Sequence, residues 1–407
     1  MKINHWIFVL FIIGIIFISG CALDYEEEES LEEPVEVQEQ VTDLVETNEV
    51  TDGNVHEEII EEGIQEEQKT EKSILPKCDD QIFTIPIVDI NSIRTILPLG
   101  AINPPRHTLP TEHMYFKLYE EVNLRAPAEV YITNVGGPLD VDAGDYSLRF
   151  ALCEDVYGYF DHISSLSDEI KTMIKDTECA SWNNDPTVLC DREITTKVEA
   201  GTVLGTVGPY YGGFDFGTYD YRVRLDYANP SRYSIPYFIE RGEVKSWSVI
   251  CPNELYDNPL RQQFYDKITD ELDPKCGEVM QDLKGTLQGN WFIGKVEEDW
   301  ENSIAFVHDN RNPSKILISI SGGFTDPGKF EFVPKNAGFF NRKFSNVIAD
   351  GNIYCYEGED PNRIGEEKPK GKIIIKLVSD IELQIEHQSG SCSGNLKFTD
   401  KAEIYER

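Results

Sequence analysis

The sequence predicts a mostly β protein. Short apolar or alternating runs, punctuated by Gly, Pro and Asn, recur from residue 78 to the C-terminus, which is the pattern of half-buried strands between tight turns. The clearest helical stretch is Leu260–Leu272, with Phe264, Ile268 and Leu272 at four-residue spacing, before Asp273-Pro274 ends it. Apolar residues make up 40% of the 407 positions and aromatics 11%, enough to fill real cores, and the length suits two or three units.

Taken in chain order, the first element is an address. Lys2 precedes a 13-residue apolar run, Trp6–Ile18, too short for a typical membrane span and the right size for a signal-peptide core. The run closes on Ile18-Ser19-Gly20-Cys21, which resembles a lipobox. That resemblance implies cleavage after residue 20 and a lipid on Cys21, anchoring the protein to a membrane; two or more acyl chains hold stably where one is marginal. Residues 22–77 hold 20 acidic residues and 3 lysines, with no aromatic after Tyr25. Like charges and scarce apolar surface predict a disordered stalk, spanning about 40 Å as a flexible coil.

From residue 78 the expected strands are Met114–Leu118, Glu129–Thr133, Tyr146–Leu152, Val156–Phe160, Thr202–Val207 and Arg222–Leu225. Beyond the helical stretch follow Ile304–Val307, Ile316–Ile320, Lys329–Val333, Ile353–Tyr356, Lys372–Leu377, Ile381–Glu386 and Glu403–Tyr405, a set that suits a small barrel or sandwich. Gly289-Asn290-Trp291 is faintly similar to the start of a lipocalin, though an ordinary core tryptophan explains it as well. The expected organisation is a signal peptide over 1–20, Cys21 and an acidic stalk over 21–77, a first β-domain over 78–272 and a second over 273–407.

Composition also excludes. With 73 acidic against 37 basic residues, the net charge of −36 repels phosphate backbones, so no nucleic-acid partner is expected. Eight cysteines remain after Cys21, an even number that suggests disulfides in an oxidising, extracytoplasmic compartment. Eight thiols allow 105 pairings; Cys179 with Cys190 and Cys355 with Cys392 are the expected pairs. No C-x-x-C, P-loop, dinucleotide fingerprint, G-x-S-x-G or EF-hand loop occurs.

The chemistry concentrates in the first β-domain, which holds His107, His113 and His162. Imidazole serves both as a zinc ligand and as a general base near neutral pH. His107 lies in a proline-rich loop, and His113 opens a strand in which it shares a face with Tyr115 while Met114 and Phe116 turn to the core. In Gly213-Phe214-Asp215-Phe216-Gly217, alternation buries the phenylalanines and turns Asp215 to the other face, between two glycines that leave room for a metal or substrate. Read alone, each of these residues is as consistent with a hydrogen-bonded loop histidine or a solvated strand carboxylate.

Their order adds a resemblance. Arg125-Ala126-Pro127-Ala128-Glu129-Val130, Tyr159-Phe160-Asp161-His162-Ile163, the Glu199–Gly208 run Glu-Ala-Gly-Thr-Val-Leu-Gly-Thr-Val-Gly and Phe214-Asp215-Phe216-Gly217 are similar, in sequence, to the "APxxGxV", "YxHL", "xxGxxxGxxG" and "HLHFG" pieces of the lysostaphin/LytM-type zinc endopeptidases. The likeness spans roughly residues 97–220. It implies a lysostaphin-like antiparallel sheet, a Zn2+ cofactor held by His107, His113 and Asp215, His162 as the catalytic residue acting on water, and cell-wall peptide or glycan as partner. In that family a zinc-binding Asp and the second His of "HxH" stand where this chain has His113 and Asp215, so carboxylate and imidazole are exchanged; Gly213 stands at the first His of "HxH". The expected function is therefore a surface-anchored zinc metallopeptidase-like protein that hydrolyses peptide bonds. A catalytically inactive binding module on the same fold is the alternative, and a surface interaction protein the third.

Overall fold

Alternating apolar residues organise the chain into antiparallel sheets. The computed structural model describes residues 75–79, 83–138, 144–181, 190–210, 212–233, 239–240, 243–270, 272–294, 302–359 and 370–407. The apolar N-terminal run with His5, Cys21 and its expected lipidation, His56, the acidic segment through residue 74, and Tyr211 lie outside the described residues. Among the described residues no helix is long and apolar enough to cross a membrane.

In the first half the strands are β1 (Ile93–Leu97), β2 (Met114–Leu118), β3 (Val122–Arg125), β4 (Val130–Gly137), β5 (Tyr146–Ala151), β6 (Val156–Ile163), β7 (Ser165–Leu166), β8 (Ala180–Ser181), β9 (Cys190–Val198), β10 (Val203–Val207) and β11 (Phe214–Asp220). Then come β12 (Ile239–Glu240), β13 (Glu243–Val244) and β14 (Val249–Ile250). The main sheet runs β1-β2-β11-β6-β5-β4-β9-β8, with β14 also on β11, and β3-β10-β7 forms a second, three-stranded sheet. Met114, Phe116, Phe160, Phe214 and Phe216 point from the central strands into one core and are fully buried.

Two sequence expectations change here. Arg222–Leu225 is not a strand, because Asp220 accepts hydrogen bonds from both the Arg222 backbone and its guanidinium and closes a turn. The helix stops at Tyr265 instead of Leu272: the Lys267 carbonyl that further helix would have used accepts from Ile96 N and Thr95 Oγ1 of β1. The Glu199–Gly208 run turns a corner between sheets, with β9 paired to β4 and β10 to β3 and β7. A Cβ at Gly205 would lie 2.1 Å from the Ser165 carbonyl oxygen, so β10 approaches β7 only because that residue is glycine.

The second half is an up-and-down meander. Its strands are β15 (Gly289–Phe292), β16 (Ser303–Asp309), β17 (Asn312–Ile320), β18 (Gly328–Phe332), β19 (Tyr354–Tyr356), β20 (Lys372–Ser379), β21 (Glu382–Gln388) and β22 (Glu403–Glu406). They pair in the order β18-β17-β16-β15-β22-β21-β20-β19. Just past β19, Glu359 N donates to Glu331 O of β18 at 2.8 Å, so the sheet nearly closes into a barrel. Trp291 is fully buried inside it; its indole N–H donates to Leu287 O, and the Arg407 guanidinium lies 4.0 Å over its ring.

Four disulfides staple the chain: Cys78–Cys153, Cys179–Cys190, Cys251–Cys276 and Cys355–Cys392. The two expected pairs are among them. This number of disulfides belongs to an oxidising, extracytoplasmic setting. The outer barrel face presents Phe292, Ala305, Val307 and Leu317, which pack on Leu109, Tyr227 and Tyr233 from the first half. Both sheets fall within one unit, Thr70–Arg407.

Candidate active site

Strands β2, β11 and β6 lie side by side, and their register builds the site. Asp215 pairs with Tyr115 on one side and with Asp161 on the other, while Gly217 pairs with Tyr159. Tyr115, Tyr159, Asp161 and Asp215 therefore share the face away from the phenylalanine core, and His113, one residue before β2, joins them. His107 reaches the same place from the preceding loop, held by paired backbone bonds between Asn103 and His107. His107, His113, His162 and Asp215 all line one cavity of about 260 Å³.

His162 reaches this face through a bulge. Between the Tyr146–Ile163 and Leu148–Phe160 pairs, β6 has one residue more than β5. His162 sits there with φ of 65°, a left-handed conformation uncommon for a side chain of this size. Without the bulge, consecutive residues would face opposite sides; with it, both Asp161 and His162 line the cavity. Asp145, also left-handed with φ of 61°, places Oδ1 2.9 Å from His162 Nδ1.

Asp215 is the centre of the arrangement. Its Oδ2 lies 3.4 Å from His113 Nε2 and 3.7 Å from His162 Nε2. His113 is 8% exposed and Asp215 5%. The other ring nitrogen of His113 is 2.9 Å from the Tyr159 hydroxyl, while its Nε2 is buried with no hydrogen-bond partner. His107 stands edge-on to His113, ring centroids 5.5 Å apart, and edge-on to Tyr115. The space above Gly217 is not left open, as the sequence suggested: a Cβ there would lie 2.1 Å from the Tyr159 ring. That glycine lets Tyr159 cross over and reach His113.

Burial splits the charges. It holds His113 well below the usual imidazole range, helped by the neighbouring His107, and lowers His107 to about 4, with His162 and Arg106 adding to the effect. Burial also raises the Asp215 carboxyl to about 7, against the pull of His162. For His162, burial opposes charge, but the Asp215 and Asp145 carboxylates outweigh it and the net shift is upward. The site thus holds two neutral imidazoles, one proton-seeking imidazole and a carboxylate short of positive charge.

The sequence reading did not single out Tyr159, Asp161, Asp145, Glu112, Lys245, Arg149 or Asn290. Tyr159 and Asp161 were legible in principle, since they alternate along β6 in step with Gly217 and Asp215 on β11. Glu112 accepts from Lys245 and from the Ser246 hydroxyl, each at 3.0 Å, tying the His113 segment to a loop that follows β13. Among nearby aromatics, Tyr219 lines the cavity, Trp247 lies under the Arg224 guanidinium and Tyr210 is exposed. His308 and His387 make local contacts, to Glu278 and to Thr325 and Lys370.

Among the described residues no group of three or more His, Cys, Asp or Glu side chains is already gathered in metal-binding geometry. One pair, His113 Nε2 and Asp215 Oδ2 at 3.4 Å, is nonetheless suitably spaced, because two ligands bonded to one tetrahedral zinc at about 2.0–2.2 Å stand about 3.3–3.6 Å apart. The orphaned Nε2 of His113, facing Asp215, is the donor atom such an ion would take up. No protein-family model matches the chain, and no curated protein matches it.

Proposed function

We propose that the protein is a surface-anchored, zinc-dependent hydrolase of peptide bonds, acting on cell-wall peptide, with the cavity between β2, β6 and β11 as its active site. The observation that carries the reading is the buried, unpartnered His113 Nε2 standing 3.4 Å from the Asp215 carboxylate. A buried imidazole nitrogen facing a buried carboxylate, with no hydrogen bond between them, is costly unless something binds both. A divalent cation does so, and it suits the neutral state of His107 and His113.

In this reading His113, His107 and Asp215 hold the metal. Tyr159 accepts a hydrogen bond from His113 Nδ1–H, which fixes the tautomer and leaves Nε2 for the ion. Bound zinc supplies Lewis acidity, making water acidic near neutral pH and polarising a carbonyl. His162 moves the proton: Asp145 holds its Nδ1, so its Nε2 takes a proton from water and returns it to the leaving amine. The neighbouring carboxylates stabilise the imidazolium that forms between those two steps.

A binding site without turnover is the second reading, and one observation favours it. A Cβ at Gly213 would lie 2.2 Å from the Phe116 carbonyl oxygen, so the strand has no place for a further imidazole there. Proton transfer would then fall to His162 without a second imidazole from this position. Surface anchoring rests on the Ile18–Cys21 sequence and the acidic segment after it.

The test is elemental analysis of the full chain after supply of zinc and removal of excess. One zinc per chain is expected, and His113→Ala should hold none. A wild-type chain without zinc, or full occupancy in His113→Ala, would overturn the assignment. Release of amines from cell-wall peptide by the loaded protein then separates hydrolase from binder.

A further inference from the structure

One wall of the cavity comes from the barrel. Alternation along β15 sends Trp291 inward and leaves Asn290 and Phe292 on the outer face, which packs on Tyr227 and Tyr233 of the first half. Asn290, Tyr227 and Tyr233 line the same cavity as His113 and Asp215. Asn290 is 4% exposed; its Nδ2 donates to the Tyr233 hydroxyl at 2.8 Å, and its Oδ1 is buried without a hydrogen-bond partner.

The side chain is held firmly. Asp282 accepts from Asn290 N at 2.9 Å through Oδ1 and from Ala228 N at 2.8 Å through Oδ2, so one carboxylate pins β15 to the segment carrying Tyr227 and Tyr233. A Cβ at Gly289 would lie 2.3 Å from Asp282 Oδ1, and Gly289 has φ of 124°, so glycine is required for this closure. An unsatisfied polar atom held this rigidly costs stability unless a partner arrives.

We propose that Asn290 is a ligand-binding residue of the site, its Oδ1 accepting the backbone amide N–H of a peptide whose carbonyl lies toward His113 and Asp215. The proposal rests on the peptide-hydrolase reading for the class of ligand, but not on the metal. It gives the barrel a function, since the first half alone would leave the cavity without this wall. At about 260 Å³ the cavity is just below the usual size of ligand sites, about 300 to 1,000 Å³, and suits one or two residues with small side chains.

The experiment uses the full chain and two probes, N-acetyl-alanyl-alanine methylamide and its ester analogue, in which the central amide N–H is replaced by oxygen. Binding is measured by titration calorimetry, with zinc stoichiometry recorded alongside. In wild type the amide should bind about three- to tenfold more tightly than the ester, the range of one neutral hydrogen bond. Asn290→Leu should remove that preference while leaving zinc content unchanged. The Asn290 side-chain NH2 resonance of 15N-labelled wild-type protein should also shift on adding the amide probe, a readout that needs no variant to fold. Equal binding of amide and ester to wild type, an unshifted Asn290 resonance, or an undiminished preference in Asn290→Leu would each overturn the proposal. A preference that depends on Asn290 in a chain that holds no zinc would uphold it and defeat the metal assignment instead.

Discussion

The two halves of this protein are built from the same antiparallel strands but use their faces differently. In the barrel the meander nearly closes on itself, removing its edges, and its interior is filled by apolar side chains such as Trp291, Phe306, Phe332 and Ile375. In the first half the sheet stays open. One face packs on a phenylalanine core, while the other carries His113, Tyr159, Asp161 and Asp215, all buried or nearly so and one of them with an orphaned nitrogen. The difference lies in where polar side chains gather: one face of the open sheet collects imidazole, phenol and carboxylate groups, whereas the barrel interior is mostly apolar. Stability and chemistry are thus divided between neighbouring sheets.

That division can be broken by mutation. The largest effect is expected at His162: replacement by alanine should lower peptide turnover by about 10²–10⁴, the usual share of general acid–base catalysis, with zinc content unchanged. A loss of zinc in that variant would make His162 a ligand. Next, Trp291→Ala empties the barrel core and should cost about 3–5 kcal/mol in denaturant unfolding. If folded Trp291→Ala also lost zinc, the two halves would not be separable as described.

Smaller effects sharpen the picture. Tyr159→Phe removes the hydroxyl that holds His113 Nδ1 and should weaken zinc affinity about 10–100-fold, as loss of an outer hydrogen bond to a ligating histidine does. Competition with a chromogenic chelator measures this, and an unchanged affinity would free His113 from Tyr159. The smallest effect is a pH slope in the chelated protein. The Asp215 carboxyl is raised to about 7 when folded, against about 3.9 when unfolded. The folded state therefore holds this proton more tightly, a contribution complete below about 3.9 and lost as pH rises through about 7. The difference in unfolding free energy between wild type and Asp215→Asn should fall over that window; a flat difference would mean that Asp215 is not buried in this way.

Much of the fold was legible because strand signals are local. Met114–Leu118 appears as expected, and the alternation that buries Phe214 and Phe216 and turns Asp215 outward holds. The errors arose where another group claimed the backbone: β1, distant in sequence, at the Lys267 carbonyl, and the neighbouring Asp220 carboxylate at Arg222 N. His107, His113, His162 and Asp215, brought forward by residue type, strand alternation and the lysostaphin/LytM-type resemblance, line one cavity. Asp145 gave no signal, because its role depends on a left-handed turn facing a bulge. Asn290 gave none either, lying 75 residues beyond Asp215 on another sheet.

By itself the sequence determined which residues have chemistry to offer and which faces of the strands are apolar, since both follow from side-chain type and a period of two. Tertiary structure alone decided who meets whom. The extra residue in β6 turned His162 onto the face of Asp215, glycine at 217 let Tyr159 cross to His113, and the packing of Phe292 on Tyr233 brought Asn290 to a cavity built by other strands. These are contacts between segments far apart in the chain, and their selection depends on shape and burial that no local pattern encodes.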